Sequence, residues 1–355
     1  MTSAFDRDVW AIFGMPLDNV SLDEAAGLVE HAVETRTRLS FVTPNVNWMV
    51  RALKNDHAMR QIVSADLSLA DGAPVVWLAR QLGMPLVERV AGSDLFDRLR
   101  ADASKEATPI RVFFFGGREG SAEAAHNALQ KEQGRFVAAG WHNPGFGDVE
   151  SMSSSEIHDK INAAKPDFVI VSLGAAKGQD WIEHNQSKLE APVIAHLGAV
   201  VDFVAGSIQR APQWASRVGL EWVWRVFAEP SLWKRYWNDG KDFIGLVRGN
   251  LRRLKNASRL KRPARPVEAA FNGSALTLSG DLVLETRNEI RENLSLAAQK
   301  SSDCQLDLTA VRTIDASALG QLRMLEQCLR RHGNRLEILP STEIEPALQA
   351  ARMTL

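Results

Sequence analysis

From residue 39 to about 205 the chain alternates short, unbroken apolar runs with longer segments of helical spacing. "LSFVTPNV" reads as a strand entering a loop, with a helix over roughly 48–63 after it. "LSLA" is a short strand, and 74–83 and 93–102 read as helices. "IRVFFFGG" is a strand ending in glycines, and "SAEAAHNALQKE" is the helix that follows. "RFVAAG", "DFVIVSLG" and "PVIAHLG" are further strands, with a helix around 179–189 and a helical turn from 199. Strands that are apolar at every position are buried on both faces, so the pattern predicts an α/β fold: a parallel sheet covered by helices on both sides. Ligands of such sheets sit beyond the carboxyl ends of the strands. That places Thr43–Asn47, Asp71-Gly72, Gly116-Gly117 and Gly174–Gln179 on one rim.

Residues 213–262 change character, becoming helical, tryptophan-rich and then basic. Five of the ten tryptophans (Trp214, Trp222, Trp224, Trp233, Trp237) fall here, and "LVRGNLRRLKNASRLKRPAR" carries eight Lys/Arg and no acid. Ile244, Val247, Leu251 and Leu254 recur at helical spacing opposite Arg248, Arg252, Lys255 and Arg259. Residues 244–262 thus read either as a helix for an anionic membrane surface or as a solvated helix before a linker. "RPARPVE" is the linker. The pattern then restarts: "ALTLSGDL" a strand and turn, 285–299 a helix, "CQLDLTAV" a strand, 317–331 a helix, "RLEILP" a strand with a short helix after it. This predicts a second, small α/β domain over 269–355, with 1–240 as the first domain and 241–268 as the helix and linker between them.

Composition narrows the class. At 355 residues, 45% hydrophobic and 24% charged, the chain suits two globular domains rather than disorder. A net charge of −1 argues against nucleic-acid binding by the whole surface. Two cysteines, Cys304 and Cys328, make neither a disulfide framework nor a zinc site and fit a reducing compartment. "MTSAFDRDVW" lacks the apolar stretch of a signal peptide, and no run approaches the ~20 apolar residues of a membrane span. The expectation is a soluble, intracellular chain.

The charges of "ERVAGSD", Glu88, Arg89 and Asp94 with Ser93, are either turn and capping chemistry or part of a site; Ser93 and Asp94 are expected to cap the helix that follows. Asp71, between a strand end and a glycine, suits a general base, yet Asp-Gly is also a common turn. Thr43 and Asn45 of "TPNVN" end another strand, where helix capping before Trp48 is the plain alternative. Gly116 and Gly117 allow a diphosphate to approach the next helix, although GxGxxG is absent. Arg89 has the donor fork for a phosphate. The only D-x-D is Asp6–Asp8, and with no HExxH among eight histidines neither a metal nor a cofactor is expected.

Taken together, "TPNVN", "ADGAPVVWLARQLG", "ERVAGSDL", "VFFFGG", "PDFVIVSLGAAKGQDWI", "LGAVVDFVAGSIQRAPQW", "GLEWVWRVFAEP" and "KRYW" resemble the bacterial WecG/TagA/CpsF glycosyltransferase family, over roughly residues 10–240. The resemblance implies a Rossmann-like parallel sheet with a helical C-terminal appendage. It implies an inverting, metal-independent transfer from a UDP-sugar donor to a polyprenyl-diphosphate-linked acceptor in exopolysaccharide or cell-envelope synthesis. Asp71 would then be the base, Thr43 and Asn45 would line its pocket, and Arg89 would bind phosphate. Arg225 and Arg235 fit the appendage's arginines, and Arg210 is a further candidate for the acceptor's phosphates. Such an enzyme is peripheral at the inner, cytoplasmic face of the cytoplasmic membrane. Two departures stand out. Ala176-Lys177-Gly178-Gln179 shifts a family glutamine by one place, which leaves the pocket role of Gln179 open, and Leu232 stands where a third arginine is expected.

The tail resembles a STAS domain through "LTLSGDL", "LDLTAVRTIDASALGQL" and "RRHGNRLEIL". Its switch hydroxyl would follow the aspartate, but Asp315 is followed by Ala316, leaving Ser317 as a helix N-cap and a possible phosphorylation site. A domain docking a protein partner or a second copy is the simpler expectation. The rivals are a catalytically inactive scaffold acting through this tail and, against the missing dinucleotide fingerprint, an oxidoreductase.

Overall fold

Five of the continuous apolar runs and a two-residue strand pair into a single parallel sheet in the computed structural model, which describes residues 4–101, 108–132, 134–208, 223, 224, 227, 233–258, 263–300 and 302–353. Its strands are β3 (Leu39–Val42), β4 (Leu67–Ser68), β5 (Ile110–Gly116), β6 (Phe136–His142), β7 (Phe168–Ser172) and β8 (Val193–His196), in the order β4-β3-β8-β7-β5-β6. All five pairings are parallel. Phe168–Ser172 is buried at every position, as a central strand covered on both faces must be.

The covering helices are α1 (Leu22–Glu34), α2 (Val46–Lys54), α3 (Asp56–Ser64), α4 (Ala73–Gln81), α5 (Gly92–Ala101), α6 (Ser121–Gln130), α7 (Ser155–Ala163), α8 (Ala175–Asn185) and the short α9 (Val200–Val204). The single helix expected over 48–63 is two: Asn55 ends α2 and its side chain accepts from His57 N to cap α3. An antiparallel hairpin, β1 (Val9–Ile12) and β2 (Met15–Asp18), precedes them.

The second domain carries α11 (Arg287–Gln299), α12 (Ala316–Arg331) and α13 (Glu345–Ala350) on the sheet β12-β11-β10-β9, with β9 (Glu268–Asn272) antiparallel to β10 (Ala275–Leu282), and β10, β11 (Cys304–Ile314) and β12 (Leu336–Pro340) parallel. The cap of α12 is Asp315 rather than Ser317: its carboxylate accepts from Ser317 N, Ala318 N and the Ser317 hydroxyl, and from Leu284 N. Ser317 is fully buried, so a kinase would reach it only after this turn opened.

The two domains share one core. The hairpin lies on α12 so closely that a β-carbon on Gly320 would sit 2.1 Å from Val9 O. Trp10, Phe13 and Met15 belong to the same apolar cluster as Leu319, Leu322 and Leu348. Polar contacts flank it: Arg323 Nε donates to Gly14 O at 2.8 Å, and ion pairs join Arg287 to Asp8, Arg331 to Asp66 and Arg352 to Asp56. Between the domains runs α10 (Trp233–Ala257), beginning ahead of residue 241 and packed on α2, α13 and β11.

Arg248, Arg252 and Lys255 of α10 are exposed and residues 259–262 of the expected stripe lie outside the described residues, but the apolar stripe, expected to face a membrane or solvent, is largely turned inward. Leu254 and Ala257 are buried, and Val247 and Leu251 pack on the shared core, leaving Ile244 outside. The spacing required an apolar partner, and α2 of the first domain and α13 of the second supply it together.

Candidate active site

Asp71 is placed by backbone hydrogen bonds rather than by a long strand. Beyond the two residues of β4, Leu69 N donates to Val42 O at 2.8 Å and Asp71 N to Pro44 O at 3.2 Å, while Val90 N donates to Ala70 O at 3.0 Å. The segment is thus held between the loop after β3 and the loop that carries Arg89. Gly72 then turns the chain into α4 at φ +87°, a conformation that residues with a β-carbon adopt only with strain. Asn45 caps α2, accepting from Asn47 N at 3.1 Å and Trp48 N at 3.3 Å, and a β-carbon on Gly72 would lie 3.9 Å from the Asn45 Cβ. Gly92, at the start of α5, packs against Leu197 and Thr43: a β-carbon there would stand 2.5 Å from Leu197 Cδ2 and 3.2 Å from Thr43 Cγ2. Thr43, Asn45, Asp71 and Gly92 therefore meet beyond the ends of β3 and β4.

The charges of "ERVAGSD" divide between two tasks, neither of them the expected capping of α5 by Ser93 and Asp94, because α5 already begins at Gly92. Glu88 turns away and accepts from Leu22 N, closing the N-terminus of α1. Arg89 stands between two acids, Nη1 3.5 Å from Asp71 Oδ1 and Nη2 2.6 Å from Asp94 Oδ2. Asp71 and Arg89 are each about a fifth exposed at 23% and 21% of their side chains, open enough for a substrate to reach. Asp94 fixes the guanidinium, which fixes the Asp71 carboxylate: a proton acceptor of set orientation beside a positive charge.

The remaining rim residues lie at the ends of β5 and β7. Gly116 and Gly117 have φ of +86° and +94°, and a β-carbon on Gly116 would lie 2.7 Å from Ser172 O. The Gly117 amide donates to that same oxygen at 2.6 Å, so it is not offered to a diphosphate. Gln179 is buried in α8, with its Oε1 lacking a hydrogen-bond partner. Gly178 beside it is required by packing, since a β-carbon there would be 2.1 Å from the His196 ring. Arg210 and Arg225 lie outside the described residues; Arg235 is in α10, and its side chain is not among those described.

Two polar groups on this rim carried no motif signal. His196 ends β8 with Nε2 buried and unpartnered, and Arg51 of α2 has a buried, unpartnered Nη1. Burial first, and then the Arg51 charge, push the His196 imidazole down to about 4, so it is neutral at neutral pH. The unfolded chain takes up that proton near 6.5, so stability falls as pH drops from about 6.5 to 4, by about 2 kcal/mol between pH 7 and 5. Urea unfolding at those two pH values should show a smaller difference for His196→Gln. An unchanged difference would assign the pH dependence to other groups.

Residues 10–257 match the model of the family described as "Glycosyl transferase WecG/TagA/CpsF family". The chain belongs to that family. It is a glycosyltransferase, and residues 266–351 match a second family model, "Mlab, STAS domain". Two similar curated proteins are both named N-acetylglucosaminyldiphosphoundecaprenol N-acetyl-beta-D-mannosaminyltransferase. That of Bacillus spizizenii is 33% identical over 197 residues, covering 55% of this chain and 73% of its own length. That of Staphylococcus aureus (strain NCTC 8325) is 27% identical over 226 residues, covering 63% and 85%. The expected WecG/TagA/CpsF and STAS memberships and the α/β architecture are thus borne out, and the matched transferase region runs to the end of α10.

Proposed function

We propose that this chain moves a sugar from a UDP-sugar to a polyprenyl-diphosphate-linked sugar in cell-envelope polysaccharide synthesis, with inversion and without a metal ion. The observation that carries the reading is the Asp71–Arg89–Asp94 arrangement beside Thr43 and Asn45 at the carboxyl rim. Asp71 takes the proton of the acceptor hydroxyl, whose oxygen attacks the anomeric carbon on the face opposite the diphosphate. The anomeric C–O bond breaks as the new one forms, and UDP leaves with the electron pair. The departing charge falls to guanidinium groups and backbone amides. Arg89 is one of these groups; Arg210, Arg225 and Arg235 are the others we assign to the two diphosphates. The two curated relatives carry a diphosphoundecaprenol acceptor and a mannosaminyl donor in their names, so UDP-N-acetylmannosamine is the first donor to try. Acceptor-dependent release of UDP with EDTA present tests the reaction. Turnover that EDTA abolishes would remove the metal-free mechanism.

The acceptor lipid requires a membrane surface, and none of the described helices is long and apolar enough to cross one. The outer stripe of α10 suits the inner face of the cytoplasmic membrane instead. Trp233, Trp237 and Ile244 are about half exposed, Lys241 Nζ stands 5.2 Å above the Trp237 ring, and Arg248 and Arg252 follow along the helix. Co-sedimentation with vesicles containing anionic lipid should fall at least about tenfold when Trp233, Trp237 and Ile244 are all replaced by Ser, with little change in folding, since each residue removed contributes ~1–2 kcal/mol of interfacial burial. Equal sedimentation of the triple variant would assign membrane contact to another surface.

A further inference from the structure

We infer that Gln327, in the STAS-like domain, is a positioning residue for the transferase reaction: it holds the strand approach that delivers Asp71. The inference rests on the proposed role of Asp71.

Gln327 is 1% exposed, pointing out of α12 into the other domain. Its amide nitrogen donates to Val63 O and Ala65 O, each at 2.7 Å, which are the carbonyls left open as α3 ends. Its amide oxygen accepts from Arg7 Nη1 at 3.2 Å. Arg7 then grips Asp18 through Nε and Nη2 at 2.8 and 2.6 Å, and Asp18 Oδ2 accepts from Ser68 N at 2.7 Å, with a backbone bridge from Asp18 to Leu69 beside it. Ser68 is the last residue of β4, three before Asp71. A strand of two residues has little pairing of its own to fix its register, and these contacts replace the missing length. Every member is buried or half-buried, and Asp18 is 2% exposed, so an unpaired group here is strongly unfavourable and the arrangement has one geometry. The bond pattern explains why a polar side chain occupies that position of α12. The coupling proceeds through contiguous hydrogen bonds, without a long-range pathway.

The test is steady-state transfer by the full chain, at a temperature where each variant's unfolding curve shows it folded. Gln327→Leu should lower kcat by about tenfold, with KM for donor and acceptor within about twofold, because a displaced base slows the chemical step while leaving binding surfaces in place. Arg352→Ala breaks the seam at Asp56, away from β4, and should keep kcat near wild type. Wild-type kcat in Gln327→Leu, or an equal loss in Arg352→Ala, overturns the inference. Should Gln327→Leu fail to fold, Arg7→Lys keeps the charge on Asp18 but lacks the fork that also reaches Gln327. A fall in its kcat of about threefold supports the inference, and an unchanged kcat overturns it. Wild type that transfers from no UDP-sugar removes the proposed function itself. Wild-type turnover with unaffected Gln327 variants removes only the positioning role.

Discussion

Asp71→Asn should leave a folded protein whose transfer rate has fallen by ~10²–10⁴, the usual contribution of a positioned general base. The substitution keeps shape and changes one property. The backbone at this position is fixed by Asp71 N on Pro44 O and by the glycine that follows, neither of which involves the carboxylate. Arg89 keeps its 2.6 Å contact with Asp94, so the guanidinium stays in place. What disappears is the proton acceptor and the negative charge 3.5 Å from Arg89 Nη1. KM for the UDP-sugar should therefore change little while kcat collapses. UDP release with a short polyprenyl-diphosphate-linked sugar as acceptor measures both. A variant within about tenfold of wild type would move the base elsewhere on the rim. A folded wild type without turnover on any donor would favour the scaffold reading, and the STAS-like domain would then carry the function.

The placement of this rim was legible because it depends on local signals. A strand end, an aspartate and a glycine mark Asp71 whatever surrounds them, and the parallel-sheet pattern places Thr43 beside it. The sequence singled out Arg89 among the neighbouring charges but assigned Asp94 to helix capping, whereas Asp94 pairs with Arg89. Glu88 and Arg89 are adjacent, yet one caps α1 and the other faces Asp71, a choice made by a helix 66 residues away along the chain. Arg51 and His196 were silent for a related reason: an arginine inside a helix and a histidine at a strand end carry no pattern, and only burial makes them unusual.

Elements escaped where tertiary burial overrides periodicity. The hairpin strands β1 and β2 are buried at all eight positions because they are pressed between two domains, so they lack the alternation that announces a hairpin. Helix α7 buries only His158 and Ile161, too few for a helical stripe. The converse case is α10. Its apolar stripe was correctly periodic, but periodicity cannot say whether lipid or protein covers it. On α12, Arg323 and Gln327 look like a solvated helix face and are 3% and 1% exposed. Docking of the domains was therefore invisible to composition and pattern, although both domains were recognisable.

Gly320→Ala puts that docking to a test in which the sign of the effect is diagnostic. In an exposed helix interior this substitution stabilises by about 1 kcal/mol, since alanine has the better helix propensity. Here the added methyl would lie 2.1 Å from Val9 O and 2.8 Å from Trp10 Cα, both backbone atoms that cannot swing aside. To accept it, α12 must move away from β1 by the better part of an ångström, and the cluster joining Trp10 to Leu319 and Leu322 opens with it. Overpacking of this kind destabilises by about 1–3 kcal/mol and outweighs the propensity gain. Arg7, Gln327 and Asp18 lie along the same seam, so the loosened docking should also slow turnover, as a structural consequence separate from the single-bond effect expected of Gln327. Urea unfolding followed by circular dichroism should shift to lower midpoint and separate into two transitions, one for each domain, where wild type shows one. A midpoint equal to or above wild type would mean that α12 and the hairpin are not pressed together in solution, and the two domains would then be tethered rather than fused through a common core.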